Sequence, residues 1–281
     1  QNIDLLAGIA FAEGLACSRK GYYEQRLSEV DAIAKGKEVT TNLMHEADAI
    51  YGDELKTPAR LGLALEIYFQ EFPISQDSLV PTYIGTNRAI ECTFSIPILD
   101  YKHPETGKPL YFKGRLDMLC TEHNRLVQVD DKTSKSIFHN IGTMLSTSSQ
   151  FYGYNYLIEQ TIGKSVVETV INQIALQKNQ VTVERCYIPF SMYLYKIWKE
   201  QFYNTISEML HLYHEQMQGE PVEKIPRSFG SGCTMYYKPC PYMDGCKDGD
   251  QMLELLPQKI WNYELKQELD LTTHLNLAKM E

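Results

Sequence analysis

The spacing of apolar positions changes repeatedly along the chain, and each change marks an element. Residues 2–34 carry a helical pattern, and a polar stretch over roughly 35–56 follows without a clear period. "TPARLGLALEIYFQEF" (57–72) reads as a helix with Pro58 in its first turn. Strand-like segments come next at 88–99, 110–120 and 125–131, with "HPETGKP" (103–109) as a turn between the first two. "STSSQFYGYNYLIEQ" (146–160) opens on capping residues and continues as a helix. Two further strands are predicted at 165–176 and 181–189. From Ser191 onward Leu194, Trp198, Phe202, Met209, Tyr213 and Met217 recur at helical spacing, which predicts one long amphipathic helix. A loop rich in Pro, Gly and Cys (219–250) precedes a final helix. This order predicts a mixed sheet flanked by helices in a single α/β domain over 1–281.

Composition changes this picture little. The chain has 281 residues, enough for a full core, with 43% hydrophobic and 22% charged residues. No apolar run is long enough to cross a bilayer, so no membrane partner is expected. The opening residues lack a basic segment, so no signal peptide is expected, and the missing initial Met points to a processed or partial chain. A cytoplasmic setting follows from that reading. The net charge of −9 argues against wholesale coating of nucleic acid and leaves room for a local basic channel. Seven cysteines without a secretory signal do not suggest a disulfide framework.

The chemistry is concentrated in "GRLDMLCTEHNRLVQVDDKTSK" (114–135). If His123 and Asn124 form a two-residue hairpin turn, Asp117 lies opposite Asp130 and Arg115 opposite Lys132. Strand alternation then puts Arg115, Asp117, Gln128, Asp130 and Lys132 on one face, and Phe112, Leu116, Met118, Val127 and Val129 on the core face. Opposed residues have Cβ atoms about 5 Å apart, where like charges repel. Two readings are open. The acids and the lysine form a solvated face with a weak ion pair. Alternatively, the carboxylates hold Mg²⁺ or Mn²⁺ and Lys132 serves a phosphate or a water beside it, a chemistry for phosphodiester hydrolysis.

The pattern Gly-x-x-Asp followed by Asp-x-Lys-Thr resembles the PD-(D/E)XK nuclease superfamily, and its RecB-like branch in particular. The Gln-x-x-x-Tyr of that branch is matched by Gln150 and Tyr154, four apart and so on one helix face. Glu91 in "AIECTF" stands where relatives carry an upstream acid. Relatives often show Gly-x-x-x-His on the preceding helix; here Gly62 is followed at that offset by Glu66, which is either an oxygen ligand or a surface glutamate. The seven histidines show no convincing ligand spacing.

Cys233, Cys240 and Cys246 fall within fourteen residues and need a fourth ligand to complete a site. "ACSRKGYY" around Cys17 is similar to the N-terminal segment of iron–sulfur RecB-like nucleases, among them the AddB nuclease domain, CRISPR-associated RecB-like exonucleases and phage exonucleases. That resemblance implies a 4Fe–4S cluster on Cys17, Cys233, Cys240 and Cys246, tying the cysteine-rich loop to the N-terminal helix. The gap between Cys233 and Cys240 is longer than many members show, and zinc suits four thiolates equally. Cys92, Cys120 and Cys186 fall in strand-like segments and read as packing residues.

The resemblance implies a restriction-endonuclease-like fold and a metal-dependent DNA exonuclease preferring single-stranded or free ends, in recombination, repair or defence. It also allows a helicase or recombination partner protein. Asp117, Asp130, Glu91 and Glu66 are the expected ligands of Mg²⁺ or Mn²⁺, Lys132 the catalytic lysine, and Gln150 and Tyr154 DNA contacts. The alternatives are a RecB-like binding module with little hydrolysis and a structure-specific endonuclease.

Overall fold

A computed structural model describes residues 3–51, 53–219, 233, 240, 242–248 and 269–270. The elements are α1 (Ile3–Tyr23), α2 (Glu29–Tyr51), α3 (Pro58–Glu71), β1 (Val80–Pro81), β2 (Tyr83–Ile84), β3 (Asn87–Arg88), β4 (Ile90–Lys102), β5 (Pro109–Glu122) and β6 (Arg125–Ser134). They continue with α4 (Ile141–Leu145), α5 (Ser149–Ile162), β7 (Glu168–Leu176), β8 (Val181–Pro189), α6 (Met192–Met217), α7 (Met243–Asp248) and β9 (Leu269–Asp270). The final helix expected from sequence lies outside the described residues.

Internal contacts divide the chain, expected as one domain, into two compact units: 1–99 with 111–195 and 268–281, and 100–110 with 196–267. The larger unit is α/β. Its mixed sheet runs in the order β8-β7-β6-β5-β4-β9, with β1 on β5 and a separate β2–β3 pair. β6 and β7 are parallel, and β7 and β8 antiparallel. β7 is buried along nearly its whole length, as expected of a strand covered on both faces. On one face Ile174 and Leu176 join Phe11, Leu15, Leu61, Leu65 and Tyr68 of α1 and α3. On the other, Ile171 packs with Ile141 of α4 and Phe151 of α5. Helices therefore flank both faces of the sheet.

The N-terminal region differs from its predicted form. The chain turns over residues 24–28, and the aperiodic stretch is most of a second helix. The α2 stripe facing α1 is Ala32, Gly36, Thr40 and Met44, at intervals of four, and all are buried. Such small and polar residues give no apolar signal, yet they allow close packing. A Cβ on Gly36 would lie 1.9 Å from Ser18 Oγ and one on Gly14 1.8 Å from Thr40 Oγ1. The two hydroxyls bond back to Gly14 O and Gly36 O, both at 3.0 Å, so their burial leaves no donor unmet.

In the smaller unit the part of α6 from Lys196 onward carries Trp198 stacked on Phe202, with ring centroids 5.1 Å apart, and Tyr203 stacked on Tyr101 at 6.1 Å. Among the described residues no helix is long and apolar enough to cross a membrane.

Candidate active site

The β5–β6 hairpin forms as the sequence predicts. His123 and Asn124 have φ of 47° and 62°, both left-handed as the tight turn requires, and Met118 faces Val129 while Glu122 faces Arg125. In that register Met118, Val127 and Val129 join Ala16 of α1 in the core. Gln128 points the other way, donating to Phe151 O of α5 at 3.2 Å and to Thr169 Oγ1 at 2.6 Å.

Upstream of Met118 the regular alternation fails, and two expectations are corrected. Phe112, expected in the core face, packs edge-on against Tyr156 of α5. Arg115, expected beside Asp117, turns to α1 and pairs with Glu13. Gly114 faces α5, where an added Cβ would come within 2.6 Å of Leu157. β5 therefore changes faces between Gly114 and Met118, as at a bulge. The regular pairing of β5 with β6 runs no further than Met118 and Val129, and Asp131 N–H donates to Asp117 Oδ2 at 2.7 Å. The carboxylate completes what the backbone ladder leaves unmade.

Asp130 is 4% exposed. Its Oδ1 accepts from Gln150 Nε2 at 3.2 Å, and Gln150 also donates to Tyr154 Oη at 2.9 Å. Gln150 and Tyr154 thus reach the hairpin together from α5. Lys132 Nζ lies 2.7 Å from Asp130 Oδ2, close enough for an ion pair. Asp130 Oδ2 is fully buried, and the Lys132 ammonium is the cation that meets it.

Glu91 is also buried, with φ of 51°, a conformation few non-glycine residues adopt. Its Oε2 is 2.5 Å from Arg115 Nε. Burial pushes its carboxyl up to about 7 despite the guanidinium. Burial also raises Asp117 well above the carboxylate range, and the charges of Asp130, Asp131 and Glu91 raise it further. Asp130 is raised by burial against the opposing pull of Lys132. Lys132 is itself raised, because the surrounding carboxylates outweigh its own desolvation, so it stays an ammonium. Burial likewise pushes the Tyr154 hydroxyl up to about 12. The site carries more acid than it can comfortably ionise, the condition a divalent cation relieves.

Among the described residues, no three His, Cys, Asp or Glu side chains stand close enough to share one metal ion. Asp117 and Asp130 are neighbours, while the Glu91 carboxylate is held by Arg115. Glu66 lies elsewhere. It sits in a groove between α2 and α3 of about 640 Å³, paired with Lys37 Nζ at 2.6 Å. Its offset from Gly62 carried no information about facing; Gly62 itself packs on Thr41 and Lys37 of α2.

The sequence reading missed Glu13, which shares Arg115 with Glu91, and Asp131. Asp131, 2% exposed, faces α1 and binds Arg19 Nη1 at 2.7 Å and Asn172 Nδ2 at 2.7 Å. Arg19 also donates to Tyr68 Oη, and Asn172 accepts from Arg185, which grips Asp77 through two 2.8 Å bonds. The consecutive acids in "VDDK" were the available signal, since alternation must send them to opposite faces.

Of the cysteines, Cys92 and Cys120 are fully buried as expected, and Cys186 is half-buried. Cys17 is half-buried on α1, and its thiol is pushed up by burial. In the other unit Cys240 N–H donates to Cys233 O at 2.8 Å, and Cys246 is exposed on α7.

No family model and no curated protein matches the chain. The chain is similar to the solved structure described as "Crystal structure of SSO0001", with 15% identity, 77% coverage of each chain and a TM-score of 0.29. A likeness of that degree carries no weight for fold or function.

Proposed function

We propose that the protein is a metal-dependent deoxyribonuclease of restriction-endonuclease-like fold that hydrolyses phosphodiester bonds, acting as an exonuclease on single-stranded or free ends. The observation that carries this reading is the Asp117–Asp130 pair beside Lys132, two neighbouring carboxyls both raised by burial, with one lysine 2.7 Å from Asp130. The donor set is all oxygen, which suits Mg²⁺ or Mn²⁺. Asp117 and Asp130 would hold the ion, which would supply Lewis-acid charge at the phosphate and a nucleophilic water at neutral pH; Glu91, held by Arg115, is a ligand on the sequence resemblance alone.

The remaining chemistry belongs to the side chains. Lys132, kept as an ammonium by its acidic neighbours, donates hydrogen bonds from Nζ and takes no proton, so it stabilises charge on a phosphate oxygen. Gln150 fixes the Asp130 carboxylate through Oδ1, while Oδ2 faces the Lys132 ammonium. Tyr154, hydrogen-bonded to Gln150 and protonated, offers an aromatic face and a hydroxyl to the nucleic acid. A 4Fe–4S cluster or zinc on Cys17, Cys233, Cys240 and Cys246 belongs to the same reading. It rests on the sequence resemblance. So do a role in recombination, repair or defence and a helicase-type partner.

The test is incubation of the purified protein with end-labelled single- and double-stranded DNA and closed circles in Mg²⁺ or Mn²⁺. Stepwise shortening from one end is the expected result. Cutting of circles would make it an endonuclease, and binding without cleavage in either metal would make it a binding module.

A further inference from the structure

We propose that Phe138 is a stacking platform for an unpaired nucleobase beside the hydrolytic cluster, and that it makes the site favour strands whose bases are free. This rests on the nuclease reading and names a residue that sets its substrate class.

The chain leaving β6 turns back over the face that carries Asp130 and Lys132. β6 and β7 are parallel, with Asp130 opposite Ile171 and Lys132 opposite Gln173. Paired residues of neighbouring strands point to the same side, so Gln173 projects beside Lys132, one strand spacing of about 4.8 Å away. Ile171 points the same way and packs on Ile141 and Phe151, which identifies this side as the one covered by α4 and α5. Gln173 is 3% exposed, and its carboxamide is committed to one stretch of backbone. Phe138 N–H donates to Gln173 Oε1 at 3.0 Å, and Gln173 Nε2 donates to Phe138 O at 3.4 Å. Ile141 N–H donates to the same carbonyl at 3.0 Å. The Phe138 backbone is therefore fixed over β7, next to the strand of the acids.

Its side chain is 44% exposed. A single exposed apolar residue is ordinary on a protein surface. This one is distinguished by where it is held, on a buried amide whose strand neighbour is Lys132. Lys135 and His139, on either side of it in sequence, are exposed as well. A cation beside an aromatic ring is the combination that grips single-stranded nucleic acid. Across β6, the Tyr154 ring lies over Gly114 of β5, where an added Cβ would come within 3.3 Å of it. The sheet order is β7-β6-β5, so two aromatic residues flank the strand that carries Asp130 and Lys132.

A base inside a duplex has both faces covered by its neighbours, whereas an unpaired base can turn a face to a ring. Phe138 offers that base no side-chain hydrogen bond, so it selects for an open face and is indifferent to sequence.

The test is a double-mutant cycle between protein and substrate. Wild-type protein and Phe138→Leu, which keeps apolar bulk and loses the ring, are each given single-stranded DNA that is intact or abasic at one of its terminal positions in turn. Affinity is read as Kd from fluorescence anisotropy without divalent ion, where no strand is cut, and as KM for cleavage in Mg²⁺; where the metal-free protein does not hold the strand, KM decides. At one position the abasic site should weaken wild type about tenfold, and Phe138→Leu should weaken the intact strand by about the same factor. Combining the two should cost no more than either alone, because both remove one stack. Phe138→Tyr should restore wild-type affinity. Losses that multiply at every position would give Phe138 a role apart from the base and overturn the proposal while sparing the nuclease reading. Should Phe138→Leu not fold, wild type decides: no position where the abasic site costs more than about twofold overturns the proposal as well. Absence of both binding and cleavage in wild type would remove the nuclease reading and this proposal together.

Discussion

Asp130 and Asp131 are adjacent in the chain and opposite in circumstance. Asp131 faces α1, where Arg19 and Asn172 meet its carboxylate, and the contacts continue through Arg185 to Asp77. Every charge in that network has an opposite charge against it. Asp130 faces α5, beside Asp117, and the two carboxyls have one lysine and one amide at Asp130. Similar side chains at similar depth thus build a neutralised structural network on one face and an acid-rich cluster on the other. A balanced buried pair stabilises the fold or is neutral to it; an unbalanced one is tolerated where a cation or chemistry resolves it.

The sharpest way to break this contrast is to remove one member of each set. Asp130→Ala should lose cleavage by about a thousandfold or more. Its metal-free melting temperature should be unchanged or slightly higher, since a repelling charge is gone. Near-normal cleavage by this variant would show that the cluster is not the site.

Arg19→Ala should do the reverse. It leaves the buried Asp131 carboxylate without its main counter-charge, at a cost of about 3–5 kcal/mol in unfolding free energy. Denaturant unfolding of the two variants side by side measures the difference. A loss under about 1 kcal/mol for Arg19→Ala would erase the distinction between the faces.

The acid-rich cluster also predicts a pH dependence. A carboxyl raised in the folded state contributes stability that is fully present below its unfolded pKa and is lost as pH rises through the folded one. For Glu91 that window runs from 4.5 to about 7, and Asp117 and Asp130 act in the same direction. Glu91 alone should account for up to roughly 3 kcal/mol of lost stability across it. Metal-free protein should therefore melt lower at pH 8 than at pH 5, and Glu91→Gln should flatten the slope. The smallest effect is expected of Gln150→Ala, which removes one hydrogen bond from Asp130 and should slow cleavage about fivefold.

Much of this was legible in the sequence because local rules governed it. Asn124 fixed a two-residue turn, the turn fixed the register, and strand period separated Asp130 from the core. β8 and the long α6 follow from uninterrupted periodicity. What escaped lay where a tertiary contact overrode a local rule. The β5 change of faces depends on Gly114 lying under Leu157, which alternation cannot foresee. The α2 helix was hidden because its buried stripe is small and polar. Glu66 fell to the α2 groove because spacing from a glycine says nothing of which face meets the sheet. Glu13 and Arg19 lay in a helix read only for Cys17, and their partners are about a hundred residues away.

The central claim is that Asp117 and Asp130 form a divalent cation site. Calorimetric addition of Mn²⁺ to wild-type protein and to Asp130→Asn tests it most directly. Asparagine preserves shape and removes the charge. The account predicts saturable binding to wild type that is lost in Asp130→Asn, with both proteins folded. Equal binding to the two proteins, or no binding to wild type, would contradict it.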